Sequence, residues 1–488
     1  MTASTGHDPE ELTRRLRGAR PSRVVADDAL RDAVDRGARV IILDDDPTGT
    51  QSVSGLPVVT EWRPSDLAWA FEQEGRGICV LTNTRSLEPA EARIRNAEAL
   101  ASVHAAAQGE PYAIISRGDS TLRGHYAHEI DVVESSLRDN GWGAVDAVLL
   151  VPAFPDAGRI TVDAIHWVQE GGVFTPAGAS SFARDATFGY EASDLRDWIE
   201  EQSNGVIRAA DVAVIPLDLV RSGHAELVAA IMAHGAGAHV VIDAVDDNDL
   251  RCIALAAIAA EELGHKIVYR TSPGLLRARL AQPSPEALPR EVVAAAIAAS
   301  CPATPHGLVV VGSHVPLSSR QLAHLVSTDA GVEHLVLDVP SLLAQSDSKE
   351  VTSALVERAA QLLRGRDVVI STSRARVDGA DPSESLRIAR EVSSALVEVT
   401  SALLARSRPS YLIGKGGITS SDLATRGVGL TRATIRGSLL PGLISIWQGA
   451  DGMTSFSTPY AIFPGNVGTD SSLSDAVAAF RAAANSTG

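Results

Sequence analysis

A repeated unit constrains this chain most: a short, continuous apolar run that ends abruptly in a polar loop. Arg39-Val40-Ile41-Ile42-Leu43 runs into Asp44-Asp45-Asp46-Pro47-Thr48-Gly49, and Gly77–Leu81 into Thr82-Asn83-Thr84-Arg85. Tyr112–Ile115 runs into Ser116-Arg117-Gly118-Asp119, and Ala147–Val151 into Pro152-Ala153-Phe154-Pro155. Uninterrupted apolar runs of this length suit strands covered on both faces, as in parallel sheets. Helical stretches at Glu88–Ala107 and His125–Asn140 lie between them. Such alternation predicts an α/β architecture, a mostly parallel sheet flanked by helices. Loops at the carboxyl ends of parallel strands are where these sheets bind ligands.

Further strands are expected at Val212–Pro216, His239–Asp243 and Lys266–Tyr269. From Ser272 to Pro305 the texture changes: Pro273, Pro283, Pro285, Pro289, Pro302 and Pro305 surround one Ala-rich helix, Glu291–Ala299. That reads as a connection between domains. A second alternation follows, with Gly307–Val311 running into Gly312-Ser313-His314, then Val332–Val339, Asp367–Ser371, a long helix near Ser383–Arg406, and Tyr411–Ile413. A length of 488 residues exceeds one ordinary core. Two α/β domains, each on a mostly parallel sheet, are expected at residues 1–275 and 306–488, joined by 276–305.

The composition sets limits on partners. Against 43 Lys and Arg stand 60 Asp and Glu, a net charge of −17 that repels nucleic-acid backbones and anionic lipid. Neither nucleic acid nor membrane is expected as a partner, whereas a few arginines in a cleft can still hold a small anion. Cys79, Cys252 and Cys301 are too scattered for a disulfide framework or a zinc site, which fits a reducing compartment. Met1–Asp27 is polar and no run reaches the ~18 apolar residues of a membrane span, so a cytoplasmic location is expected. A homo-oligomer is compatible with all of this.

Four loops carry candidate chemistry in the first half. The carboxylates of Asp44, Asp45 and Asp46 repel one another and require a cation, a sugar hydroxyl or backbone N–H groups nearby, although Asp, Pro, Thr and Gly also build ordinary turns. Ser116–Gly124 packs Arg117, Asp119, Ser120, Thr121 and Arg123 into nine residues. Arginine is the side chain shaped to clamp a carboxylate or phosphate with two parallel hydrogen bonds, while Asp119 could equally cap a helix. Arg85 and Gly158-Arg159 add cations on loops of the same kind, and convergence of such loops makes an anion site. In the second half, Gly414-Lys415-Gly416-Gly417-Ile418-Thr419-Ser420 follows a strand, and Phe463-Pro464-Gly465-Asn466 and Val311-Gly312-Ser313-His314 are further small-residue turns. Glycines there let backbone N–H groups approach phosphates, although none of these is a Walker A sequence. The absence of His-Glu-x-x-His spacing assigns no intrinsic metal site.

In this order, Asp45-Asp46-Pro47-Thr48-Gly49, Asp119-Ser120-Thr121-Leu122-Arg123-Gly124, Pro152-Ala153-Phe154-Pro155 with Gly158-Arg159, Gly416-Gly417-x-Thr419-Ser420 and Pro464-Gly465-Asn466 resemble the signature of the four-carbon acid sugar kinases. The resemblance runs from about Val40 to Thr469. It implies an N-terminal domain for a small anionic sugar acid and a C-terminal domain for ATP, with Mg²⁺ arriving on the nucleotide. The product implied is threonate, erythronate or a 3-oxo-tetronate phosphorylated on its terminal hydroxyl. Carried over by position, Asp46, Asp119 and Arg123 would be catalytic, and Asp45, Arg85, Arg117, Ser120, Gly158 and Arg159 would bind the acid. Arg123 and Arg85 would hold the carboxylate, and either Asp46 or Asp119 would take the hydroxyl proton. Ser313, Gly416, Gly417, Thr419, Gly465 and Asn466 would hold ATP. Three positions depart from the family pattern: Arg117 and Phe463 where lysine is usual, and Ile418 where an acid is usual. Two rivals fit less well: an NAD-dependent dehydrogenase, against which the missing Gly-x-Gly-x-x-Gly weighs, and a sensor without turnover.

Overall fold

A computed structural model describes residues 9–185, 187–344, 348–374, 377, 382–450 and 456–486. Of the polar N-terminal stretch, residues 1–8 lie outside these. The strands, in chain order, are β1 (Arg39–Asp44), β2 (Pro57–Val59), β3 (Gly77–Leu81), β4 (Tyr112–Arg117), β5 (Ala147–Val151), β6 (Arg159–Val162), β7 (Ile165–Glu170), β8 (Val173–Pro176) and β9 (Ala213–Ile215). Then come β10 (Ala238–Ile242), β11 (Ile267–Thr271), β12 (Leu308–Val311), β13 (Val332–Leu337), β14 (Asp367–Thr372), β15 (Leu412–Lys415), β16 (Arg432–Leu440), β17 (Ile444–Gly449) and β18 (Tyr460–Phe463). They divide between two compact units: Met1–Gly49 with Trp62–Ser284, and Thr50–Glu61 with Pro285–Gly488.

The N-terminal unit is built on a sheet of order β3-β1-β4-β11-β5-β10-β9 in which every neighbouring pair is parallel. Its strands are buried along almost their whole length, as their unbroken apolar runs require. Register sets Asp44 beside Leu81 and Arg117, and Arg117 beside Thr271, so the polar loops leave the sheet at one end. A second, antiparallel sheet of order β6-β7-β8 was not expected from the sequence. Its first turn holds Asp163 and Ala164 at φ of 52° and 63°, a left-handed pair typical of tight hairpins. The Asp243 carboxylate offsets that strain by accepting the Asp163 and Ala164 N–H groups at 2.7 and 2.9 Å.

In the C-terminal unit β13-β14-β12-β15-β18 are parallel, and β17, β16 and β2 continue the sheet antiparallel. The expected alternation thus forms the parallel part, and both units have the α/β architecture with mostly parallel sheets. The segment 276–305 is not a free connection. Pro273–Arg279 is a buried helix of the N-terminal unit, and Arg290–Ala299 inserts Val293, Ala294 and Ile297 into the core of the C-terminal one. The Ala-rich helix has an apolar face, and burying it stabilises that unit.

Candidate functional site

In the N-terminal unit the ends of β1, β3, β4 and β11, with the helix Tyr126–Asp139, bring together four arginines, Arg85, Arg117, Arg123 and Arg270, and five acids, Asp44, Asp45, Asp46, Asp119 and Glu129. Arg85, in the short turn after β3, grips Asp45 with Nη2–Oδ1 at 2.6 Å and Nε–Oδ2 at 3.0 Å, and reaches Asp46 Oδ2 at 3.5 Å. Asp46 is fixed from its own turn, where Oδ1 accepts from Thr48 N at 2.8 Å and Thr48 Oγ1 at 2.6 Å. Asp119 Oδ2 accepts from Arg123 Nε at 2.6 Å and from the Thr121 hydroxyl. Burial opposes ionisation of Asp119, but Arg123 and Arg85 prevail and hold its carboxyl well below the usual carboxylate range.

Beneath this layer lies a second one. Arg117 is 3% exposed and spends its guanidinium on Asp44, on the Asp46 carbonyl and on Asp45 Oδ1 at 3.1 Å. It was expected to contact substrate; its geometry instead supports the acidic turn from below. Arg270 bonds Ser116 Oγ at 2.8 Å and pairs with Glu129, which also accepts from Thr84 Oγ1 at 3.1 Å. The backbone must yield to these guanidinium groups: a Cβ on Gly118 would lie 2.5 Å from Arg270 Cζ. Glycine is needed there on steric grounds.

On the far side of the cluster Phe182 stands between two cations, its ring centroid 5.3 Å from Arg123 Cζ and 5.7 Å from Arg159 Cζ. Asp185 approaches Arg123 Nη1 at 3.6 Å. Arg159 donates to the Ala157 carbonyl, and among the described residues no carboxylate pairs with it. Ser120 is buried and its carbonyl accepts from His166 Nε2 at 2.8 Å, while Tyr190 donates to the Thr121 carbonyl at 2.8 Å, so β7 and Tyr190 pin the loop that carries Asp119 and Arg123. Gly158 turns left-handed, at φ 72°, just before Arg159. Asp45, Asp46, Arg85, Asp119, Ser120, Arg123 and Arg159 therefore share one neighbourhood. Sequence reasoning missed Glu129, Arg270, His166, Phe182 and Asp185, which carried no local signal; Asp44 was read within the acidic run but given no role of its own.

In the C-terminal unit three loops interlock around Ser313. Lys415, at the end of β15, stands beside Val311 of β12 and Phe463 of β18. A Cβ on Gly416 would lie 2.9 Å from Ser313 Cβ, and one on Gly465 would lie 2.7 Å from Ser313 Oγ. Gly416 also has φ of 116°. Ser318 Oγ ties two loops together, bonding Ser313 Oγ at 3.1 Å and the Gly465 carbonyl at 2.8 Å. Gly417 begins the helix that carries Thr419, which packs against Gly312, and both Asn466 and Ile418 are exposed. Among the described residues no group of three or more His, Cys, Asp or Glu is arranged to hold a metal ion. No helix among them is long and apolar enough to cross a membrane.

Comparison with known proteins gives each unit a character. Residues 40–279 match the sugar-binding N-terminal domain and residues 308–473 the nucleotide-binding C-terminal domain. No curated protein sequence matches the chain. Among solved structures, a Salmonella typhimurium LT2 protein provisionally named a tRNA synthase is similar, with a TM-score of 0.63, 17% identity, and coverage of 90% of this chain and 98% of that one. A Haemophilus influenzae protein from a domain family of unknown function is similar with a TM-score of 0.59 and 18% identity, over 90% and 98% of the two chains. At these identities the likeness is one of fold. The chain has a domain that binds sugar and a domain that binds nucleotide.

Proposed function

We propose, for a chain that belongs to the four-carbon acid sugar kinase family, that it transfers the γ-phosphoryl group of MgATP to the terminal hydroxyl of a four-carbon sugar acid. One observation carries the acid part of this reading: Arg123 and Arg159 flank Phe182 beside Asp119, and Arg159 has no carboxylate hydrogen-bonded to it among the described residues. A cation left unpaired in a half-buried site favours an anionic guest, and a substrate carboxylate supplies the missing charge. Arg85, already gripped by Asp45, then orients the acidic turn and leaves carboxylate binding to Arg123 and Arg159.

Of the two candidate bases the geometry favours Asp46. Asp119 is tied to Arg123 and Thr121 and held strongly ionised, which makes it a poor proton acceptor. Asp46 keeps Oδ2 with only a 3.5 Å contact to Arg85. In the proposed step the substrate oxygen bonds to the γ-phosphorus and the bond from that phosphorus to the β,γ-bridging oxygen breaks, so ADP departs. The hydroxyl proton passes to Asp46. Phosphoryl transfer of this kind depends mainly on positioning and charge neutralisation.

The nucleotide fits the C-terminal loops. Gly416 and Gly465 pack too closely on Ser313 for any side chain, and with the Gly416 N–H donated to the Phe463 carbonyl at 2.8 Å, the backbone N–H groups of Gly417 and Gly465, with Ser313, Thr419 and Asn466, are the groups to hold phosphates. The bound nucleotide supplies the phosphoryl group and brings Mg²⁺ with it.

The test is ADP release by the purified protein with MgATP, across D and L four-carbon sugar acids and their 3-oxo forms. Turnover on one acid and little on neutral sugars is the expected result. Asp46→Asn and Arg123→Ala should each lower kcat/KM on that acid by about 10²-fold or more with unchanged thermal melting. Near-normal rates in both variants, or equal rates on neutral sugars, would overturn the reading.

A further inference from the structure

Lys415 is fully buried at the end of β15. Its Nζ donates to the Pro464 carbonyl at 2.5 Å and lies 3.6 Å from the centroid of the Phe463 ring. Strand alternation puts it on the same face as Ile413 and Tyr411, a face otherwise committed to the apolar core. Burial pushes its ammonium down to about 7. The ionisable groups on the elements around it are engaged elsewhere. Asp422 accepts from Ser393 and meets Arg426 at 3.7 Å, Arg320 bonds Asp470 at 2.9 Å, His324 meets Ser474 Oγ at 2.9 Å, and His314 meets Thr372 Oγ1 at 3.1 Å. Strands β12 and β18 bring no carboxylate.

Arg374 repeats the pattern from the other side of the same loop. Its Nη2 donates to the Ser313 carbonyl at 2.6 Å and to Ser319 Oγ at 2.9 Å, while Nε and Nη1 are buried with no partner. Two cations, Lys415 fully buried and Arg374 half-buried, therefore meet one glycine-packed loop, and among the described residues no acid balances either. An uncompensated buried charge costs several kcal/mol, and apolar residues of the same size would avoid that cost. An anion that arrives later would balance both charges.

We propose that Lys415 and Arg374 are the counter-charges of the nucleotide polyphosphate, held unpaired by the free protein and balanced when the phosphates settle on the Ser313, Gly416 and Gly465 loops. Lys415 acts through the loops as a positioning residue, and the proposal rests on the nucleotide reading of this unit. Near pH 8 most of the Lys415 ammonium is deprotonated in the free protein, and a neighbouring phosphate restores its proton.

The experiment is calorimetric titration of the full-length protein with MgADP and with adenosine at pH 8, in two buffers of different ionisation enthalpy. Wild type should take up about one proton per MgADP, and none with adenosine. Lys415→Met should abolish the uptake, Arg374→Met should retain it, and both should weaken MgADP by about tenfold or more while leaving adenosine unchanged. Melting of the ligand-free Lys415→Met protein should be unchanged or higher, which a merely structural lysine would not give. Equal losses for MgADP and adenosine, or proton uptake that persists in Lys415→Met, would overturn the proposal while leaving nucleotide binding standing. Failure of wild type to bind MgADP would overturn the nucleotide reading and this proposal together.

Discussion

Arg270 and Glu129 face each other where almost no water reaches, at 5% and 4% exposure. Glu129 also receives Thr84 and Ser116, so the pair ties the ends of β3, β4 and β11 to the helix Tyr126–Asp139. Removing one partner of such a pair leaves an uncompensated charge, whereas removing both can be nearly neutral. Glu129→Gln should cost about 3–5 kcal/mol of stability, and Glu129→Leu combined with Arg270→Met should recover much of it, read by chemical denaturation. A double variant no more stable than Glu129→Gln would show that the pair does more than balance its own charges. This also shows why the lower layer of the cluster was not legible in the sequence. Asp45, Asp46, Arg85, Asp119 and Arg123 follow apolar runs directly, so a loop at a strand end could be read for them. Glu129 sits inside a helix and Arg270 one residue past the expected end of its strand, and burial of either charge depends on neighbours more than 100 residues away. Lys415 was visible in its glycine-rich turn, but a lysine at a strand end reads as solvent-facing until Phe463 is placed beneath it.

At the scale of elements, the parallel cores were legible because strands buried on both faces write continuous apolar runs. The antiparallel pieces were not. The first four residues of β7, Ile165-His166-Trp167-Val168, are all buried despite the histidine, so the stretch shows neither alternation nor an apolar run. In β16 the register slips between Ile435 and Gly437, where φ is 132°, and the period of two is lost. The small sheet nonetheless matters to the site, because His166 links it to Ser120: Nε2 donates to the Ser120 carbonyl and Nδ1 accepts from Thr161 Oγ1 at 3.0 Å. Burial pushes this imidazole down to about 4. The unfolded chain binds the proton between the ordinary histidine value and about 4 while the folded protein refuses it, so stability is lost as pH falls through that window and levels off below it. Relative to His166→Gln, which does not titrate, wild type should lose roughly 3 kcal/mol between pH 6.5 and 4, measured by denaturation at a series of pH values. A constant difference across that range would mean that the histidine takes up its proton in place. At neutral pH His166→Ala, which removes the donor to Ser120, should raise KM for the acid substrate more than His166→Gln does.

Across the whole molecule the two units do not follow the order of the chain. Thr50–Glu61 interrupts the N-terminal unit, immediately after the acidic turn, and belongs to the C-terminal one. There β2 pairs with β16 through Arg432–Val59, Ala433–Val58 and Thr434–Pro57, and Ile435 N reaches the Leu56 carbonyl at 2.9 Å. Trp447, fully buried, donates its indole N–H to Thr50 Oγ1 at 2.9 Å. No local pattern announces this: three residues, Pro57-Val58-Val59, are too short a run to distinguish a strand from a loop, and their partners, Arg432–Thr434, lie far along the chain. A division read from the chain at residues 276–305 therefore leaves the segment Thr50–Glu61 out of the unit that it completes. A fragment of residues 285–488 lacks β2, which leaves the edge of β16 open and a buried indole without its acceptor, and both invite association with other chains. This fragment should melt well below the intact protein and aggregate on size exclusion. Residues 50–61 joined to its N-terminus through a flexible linker should restore a monodisperse species with a cooperative transition. If the bare fragment were as stable as the extended one, β2 would be an accessory to the C-terminal unit; the hydrogen bonds along the segment, from Thr50 to Thr60, make it a structural strand of that unit.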